Sequence, residues 1–155
     1  MKRKDALLLC LLLAGCDQPT NTQLTIDTGR QLQRAIDTSP ARGACEDIAQ
    51  GRERLSHHRI TLLKEKGCQY VFRSSTETNL TDTAVYHSSM TMVCGGIIGK
   101  NFIGEDIQRR YLYSPNERAL VIEPMSPNDK TRFEDRKTLA QLHADFERQR
   151  QQYCK

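Results

Sequence analysis

The chain is 155 residues long, sets 23 Lys and Arg against 19 Asp and Glu for a formal net charge of +4, and contains no Trp. That length suits a single domain with a real core, and so small a charge does not argue for nucleic-acid binding. No apolar run approaches the roughly 20 residues of a membrane-spanning helix.

Lys2, Arg3 and Lys4 give the chain a positively charged start, and residues 6–14 follow as a short apolar stretch. A basic start before a short apolar run is the pattern of a secretory signal peptide, which lies outside the fold. The stretch ends Leu13-Ala14-Gly15-Cys16. These four residues resemble the lipobox of bacterial lipoproteins. The resemblance implies a diacylglycerol group on the Cys16 sulfur, cleavage just before Cys16 and acylation of the new amino group. One acyl chain holds a protein to a membrane only reversibly, whereas two or three on one cysteine anchor it durably. Asp17 resembles the residue that retains enterobacterial lipoproteins in the inner membrane, with the outer membrane as the alternative. Residues 1–15 then read as the signal peptide, 16–27 as a lipidated tether and 28–155 as one periplasmic domain. Loss of residues 1–15 removes three positive charges and one negative, lowering the net charge to +2.

Residues 17–27 are polar with one proline, as a tether should be. Thr28-Gly29-Arg30-Gln31 has the form of a capping box, and Leu32, Ala35 and Ile36 continue at helical spacing until Ser39-Pro40 stops the helix. Residues 44–66 read as one long helix. Ile48, Leu55 and Leu62 recur every seven positions, Gly67 is placed to terminate it, and Gly51 is a weak point.

The period then changes. Residues 68–72 read as a strand, 73–83 as a polar loop, and 84–94 as a second strand. Cys10 leaves with the signal peptide and Cys16 is lipidated, so Cys45, Cys68, Cys94 and Cys154 remain, at separations of 23, 26 and 60. Four cysteines in an oxidising compartment imply two disulfides, and three connectivities can be drawn. Such spacing argues against a four-cysteine zinc site, which uses close pairs. Alternation puts Cys68 with Tyr70 and Phe72 on one strand face, and Cys94 with Met90 and Met92 on the other's. Antiparallel pairing of these strands favours Cys68–Cys94, leaving Cys45–Cys154. Gly95-Gly96-Ile97-Ile98-Gly99 interrupts the strand pattern. Residues 110–113 and 119–122 flank a Pro- and Asn-containing loop and read as a hairpin. Ser126-Pro127-Asn128-Asp129 starts a last helix, on which Leu139, Leu142, Phe146 and Tyr153 line one face. The fold expected is α+β: a small antiparallel sheet of three to four strands packed against N-terminal and C-terminal helices, with two disulfides.

No catalytic constellation stands out. The segment 95–101 departs from a phosphate-binding loop in glycine spacing and carries Asn101 where Ser or Thr would hold magnesium. His57 and His58 are adjacent and so diverge around a helix. Ser88-Ser89 lacks a nucleophile elbow. Glu105 and Asp106 are the least bland acids. Ile97, Ile98, Phe102 and Ile103, among four glycines, are either tucked into the core or offered to a partner. The expectation is a lipid-anchored, non-enzymatic binding or accessory protein of the cell envelope, needing no cofactor or metal, bound to the membrane and to another envelope protein but not to nucleic acid. The alternative is a small periplasmic hydrolase of cell-wall or sugar substrates.

Overall fold

The computed structural model describes residues 17–51, 57–130 and 134–155. Cys16 and the rest of the lipobox, together with Leu55, lie outside them. Among the described residues four helices and four strands follow in the order α1 (Asn21–Asp37), α2 (Pro40–Ala49), α3 (His57–Glu65), β1 (Asn79–His87), β2 (Thr91–Lys100), β3 (Asp106–Ser114), β4 (Ala119–Ile122) and α4 (Leu139–Tyr153). The strands form one antiparallel sheet in the order β1-β2-β3-β4. The α+β architecture expected from the sequence is therefore present, with helices at both ends of the chain.

The stretch read as tether is mostly helix. Thr20 Oγ1 accepts from the Gln23 amide at 3.2 Å and the Gln23 side chain accepts from the Thr20 amide at 2.8 Å, so the capping box lies two turns earlier than Thr28-Gln31. From that start Leu24, Thr28, Leu32 and Ile36 recur every four residues and are all buried. Thr28 enters this stripe because its hydroxyl donates to the Leu24 carbonyl at 2.7 Å. Four residues of that stretch, 17–20, precede the helix among those described.

The sheet separates two cores. On one face Val93, Ile97, Tyr111 and Tyr113 pack against Leu24, Leu32 and Ile36 of α1, with Phe72 at the end. On the other, Met92, Cys94 and Leu112 pack against Phe146 of α4. The assembly is thus helix, sheet, helix. A third cluster, Cys45, Leu63, Cys68 and Phe102, joins α2 and α3 to the turn between β2 and β3.

Several sequence expectations are corrected. The helix at 44–66 is two helices: Ser39 caps α2 with Pro40 in its first turn, α2 ends at Ala49, and α3 begins at His57. Gly67 does follow α3, with φ of 75°, as a left-handed terminator should. Residues 68–70 form a 3-10 turn rather than a strand, and Phe72 makes an isolated bridge to Asn101. The expected strand 84–94 is instead the β1–β2 hairpin, turning at 88–90, and β1 extends back into the supposed loop. The hairpin expected around 114–118 forms between β3 and β4. Ser126 caps only a 3-10 turn, and α4 starts later behind its own capping box of Thr138 and Gln141.

The disulfides are Cys45–Cys68 and Cys94–Cys154, with Cα separations of 5.8 and 6.1 Å, not Cys68–Cys94 and Cys45–Cys154. The expected pairing required residues 68–72 to be a strand beside Cys94. Cys68 lies instead in the 3-10 turn against α2, whereas Cys94 lies on the α4 face of β2.

Gly95, Gly96 and Gly99 do not break β2 but let neighbours close over it. The Tyr111 hydroxyl reaches across the sheet to Thr83 Oγ1 at 2.6 Å. A Cβ on Gly95 would lie 2.8 Å from both oxygens and 2.9 Å from the Thr83 Cα. Gly95→Ala is therefore expected to destabilise the domain by about 1–3 kcal/mol through overpacking. Gly29→Ala has the opposite sign. Its Cβ would meet only Leu80 Cδ1, at 3.7 Å, in the middle of α1, and a helical Gly costs about 1 kcal/mol relative to Ala. Chemical denaturation of the two variants checks this. Equal and neutral midpoints would mean that residues 95–99 are a loose loop after all.

The α4 layer is also fastened by charge. The Glu123 carboxylate accepts from the Arg110 amide and from Arg110 Nε, both at 3.0 Å, and Arg110 pairs with Glu147 of α4 while its guanidinium lies 5.4 Å from the Phe146 ring centroid. Hydrogen bonds from Arg110 hold Glu123 below the usual carboxylate range against the opposing effect of burial. A depressed carboxylate stabilises the fold above its unfolded pKa of about 4.3 and loses that contribution as pH falls through its folded value. Glu123→Gln should accordingly flatten the acid limb of the stability–pH curve below about pH 4.3. An unchanged acid limb contradicts this assignment.

Candidate functional site

β4 ends the sheet, and its outer edge opens into a cleft of about 550 Å³. α1 and α4 cover opposite faces of the sheet, and residues of both line the cleft at its last strand. Ile36 of α1 and Pro40 and Ala41 of α2 form one wall, Leu142 and Phe146 of α4 the other, and Leu120, Val121 and Ile122 the floor between them. Val71 and Phe72 close one end. An edge strand carries backbone donors and acceptors that can pair with another extended chain.

One cation is built into this apolar site. Strand alternation puts Arg109 on the α1 face with Tyr111 and Tyr113, and its residue is only 8% exposed. Its Nε and Nη2 donate to the Glu123 carbonyl at 2.9 and 2.6 Å, and Nη2 lies 3.2 Å from Asp129 Oδ2. A buried guanidinium is tolerated only when paired and hydrogen-bonded in this way. The same Asp129 oxygen accepts from the Met125 and Ser126 amides at 2.8 and 2.9 Å, fixing the turn that follows β4. At the α4 side, Asp145 pairs with Lys137 and Arg148, each at 2.5 Å. Their hydrogen bonds hold its carboxyl below the usual range.

The residues singled out in the sequence do not converge here. Asp17 is exposed before α1. Ile97 and Phe102 are core residues, 1% and 7% exposed, and Ile103 packs beside Phe102 in the α2–α3 cluster. Ile98 is half-buried within β2. Of the four, Ile97 and Phe102 are thus in the core, whereas Ile98 and Ile103 are half-buried. Asp106 pairs with Lys100 at 2.9 Å, and the Glu105 amide donates to Asn101 Oδ1 at 2.8 Å, which makes that pair of acids part of a turn. His87 bridges Thr91 and Asn21, and His143 approaches Glu123. Among the described residues no group of three or more His, Cys, Asp or Glu is arranged to hold a metal, and no helix is long and apolar enough to cross a membrane.

Arg109, Leu120, Ile122 and Asp129 were missed by the sequence reading. One signal was present: in Ile107, Arg109, Tyr111 and Tyr113 a charge interrupts the core-facing parity of an otherwise apolar strand face. The cleft itself, assembled from α1, α2, β3, β4 and α4, has no local signature. No protein-family model, curated protein or solved structure matches the chain.

Proposed function

We propose that this protein is a lipoprotein anchored through Cys16 at the periplasmic face of the inner membrane, acting there as a non-enzymatic binding or accessory protein of the envelope. Its cleft receives an extended apolar segment of another envelope protein, which adds to the free edge of β4. The carrying observation is the cleft: an apolar floor and walls beside a strand edge that no strand among the described residues pairs with. Strand addition of this kind draws affinity from main-chain hydrogen bonds and specificity from pockets for alternate side chains. Leu120 and Ile122 face one side of β4 and Val121 the other, so such pockets lie on both sides of the added chain. The two disulfides support an oxidising compartment, and the lipobox and Asp17 support the anchor and its membrane.

The hydrolase alternative rests on the carboxylates of Asp129, Glu134 and Asp145, which also line the cleft. A general acid at neutral pH needs a raised carboxyl pKa, and Asp145 is pushed the other way by its two cations. In intact cells, a photo-crosslinking residue at Ala41 or Leu120 should capture the same discrete envelope protein, and one at exposed Thr76 should not. Variants Leu120→Arg and Ile122→Arg, which put charge on the cleft floor, should lose that adduct when the crosslinker is at Ala41. No adduct from either cleft position, or equal capture from Thr76, overturns the reading.

A further inference from the structure

The two ends of the domain differ in how far they can lie from the anchor. α1 begins beside the β1–β2 turn, where His87 Nε2 is 3.1 Å from Asn21 Oδ1, and Tyr113 at the end of β3 donates to Asp27 at 2.9 Å. β4 begins at that same end, since Ala119 pairs with Ser114. α4 finishes there too, with Tyr153 near Met90 and Ala119. The opposite end holds the close of α1, where Asp37 accepts from Ser75 Oγ at 2.6 Å, then α2, α3 and the β2–β3 turn. α1 has 17 residues, so its ends lie about 25 Å apart.

Cys16 precedes the Thr20 cap by four residues, and four residues reach at most about 14 Å even when fully extended. That is shorter than α1 itself. Resting on the reading of Cys16 as the lipidated residue, we infer that this end of the domain, made by the 88–90 and 115–118 turns and the start of α1, sits against the phospholipid headgroups. The α2–α3 end points away from the bilayer. The two turns meet headgroups and not acyl chains. The exposed large hydrophobic residues among those described are Ile26, Ile60 and Leu80; Ile26 lies on α1 itself, five residues past Asn21, and neither turn contains one of them. Ser88, Ser89, Asn116, Glu117 and Arg118, all exposed, offer hydrogen bonds and balanced charge instead. The β4 cleft, whose walls include the close of α1 and the start of α2, then opens above the membrane surface, within reach of a chain emerging from a neighbouring protein.

The test uses the full protein, purified from membranes with its lipid and placed in vesicles of phosphatidylethanolamine and phosphatidylglycerol carrying a headgroup acceptor dye. A fluorescent amino acid is encoded at Ser89, Asn116 or Lys66. Energy transfer should be several-fold stronger from Ser89 and Asn116 than from Lys66. Inserting a Gly/Ser linker of about 20 residues between Gln18 and Pro19 should level the three signals, because its typical span of about 25 Å matches the length of α1. Equal transfer from all three sites in protein whose intact mass shows the lipid overturns the orientation and leaves the anchor standing. Protein whose mass shows no lipid removes the anchor reading and the orientation with it.

Discussion

Replacing Cys94 and Cys154 together by alanine is expected to lower the stability of the oxidised protein by roughly 4 kcal/mol. In the loop-entropy account a closed loop of this size constrains the unfolded chain by about that amount. The bond spans a separation of 60 residues, and that loop contains β3, β4 and all of α4. Cys45–Cys68 spans 23 residues, and its removal should cost about 3 kcal/mol on the same basis. The structural consequences differ more than the energies. Cys154 follows the last turn of α4, so without its bond the helix loses its one covalent tie to the sheet and is held by the packing of Phe146 and Leu142 and by ion pairs such as Arg110–Glu147. Limited trypsin digestion should cut the double variant first at Arg148 and Arg150, under conditions that leave the parent intact. Chemical denaturation gives the energy. A change below about 1 kcal/mol, too small for any loop of this size, would show that the bond does not close this loop.

Phe146→Ala carries the second large effect, about 3–5 kcal/mol, the usual range for a fully buried phenylalanine. The ring is 1% exposed and fills the space between α4 and the Met92, Cys94 and Leu112 face of the sheet. It also lies beneath the Arg110 guanidinium, a contact that contributes about 0.5–1 kcal/mol at exposed sites and more when desolvated. Against a typical domain stability of 5–15 kcal/mol, the variant should unfold well below the parent's melting temperature. Phe146→Leu, which keeps most of the apolar volume, should lose much less. The two perturbations are coupled because both loosen α4. In the Cys94→Ala, Cys154→Ala background, Phe146→Ala should cost less than in the parent, and a double-mutant cycle measures the difference. Strict additivity would mean that α4 stays docked without either fastening.

What the sequence made legible, and what it hid, follow a physical pattern. Amphipathic spacing is local, so Leu32 and Ile36 of α1 and Leu142 and Phe146 of α4 were found where they are. The β3–β4 hairpin was found because its turn residues are punctuation in the chain. Helix starts were misplaced wherever a second capping box competed. Thr28-Gln31 and Thr20-Gln23 both fit the pattern, and burial of Leu24 and Thr28 favours the earlier one. Ser126 and Thr138 compete in the same way, each capping a turn, but only the second is followed by a continuous helix. The glycines of β2 were misread because glycine reports either a turn or a close approach, and only the position of Tyr111 over Gly95 distinguishes them. The cysteine pairing failed for a related reason. Strand parity gave the face of Cys94, but residues 68–70 turn against α2, and nothing local to that segment reveals the neighbour. The cleft lay beyond reach altogether, since its walls come from α1, α2, β3, β4 and α4 and are brought together only by the packing of two helices on opposite sides of one sheet.

The proposed anchor underlies the proposed compartment and place of work. Intact-mass analysis of the native protein isolated from membranes tests it most directly. The account predicts a chain beginning at Cys16, heavier than the polypeptide by a diacylglycerol and an amide-linked acyl group, and lighter by four hydrogens for two bridges. A chain that retains residues 1–15 and carries an unmodified Cys16 thiol would contradict it.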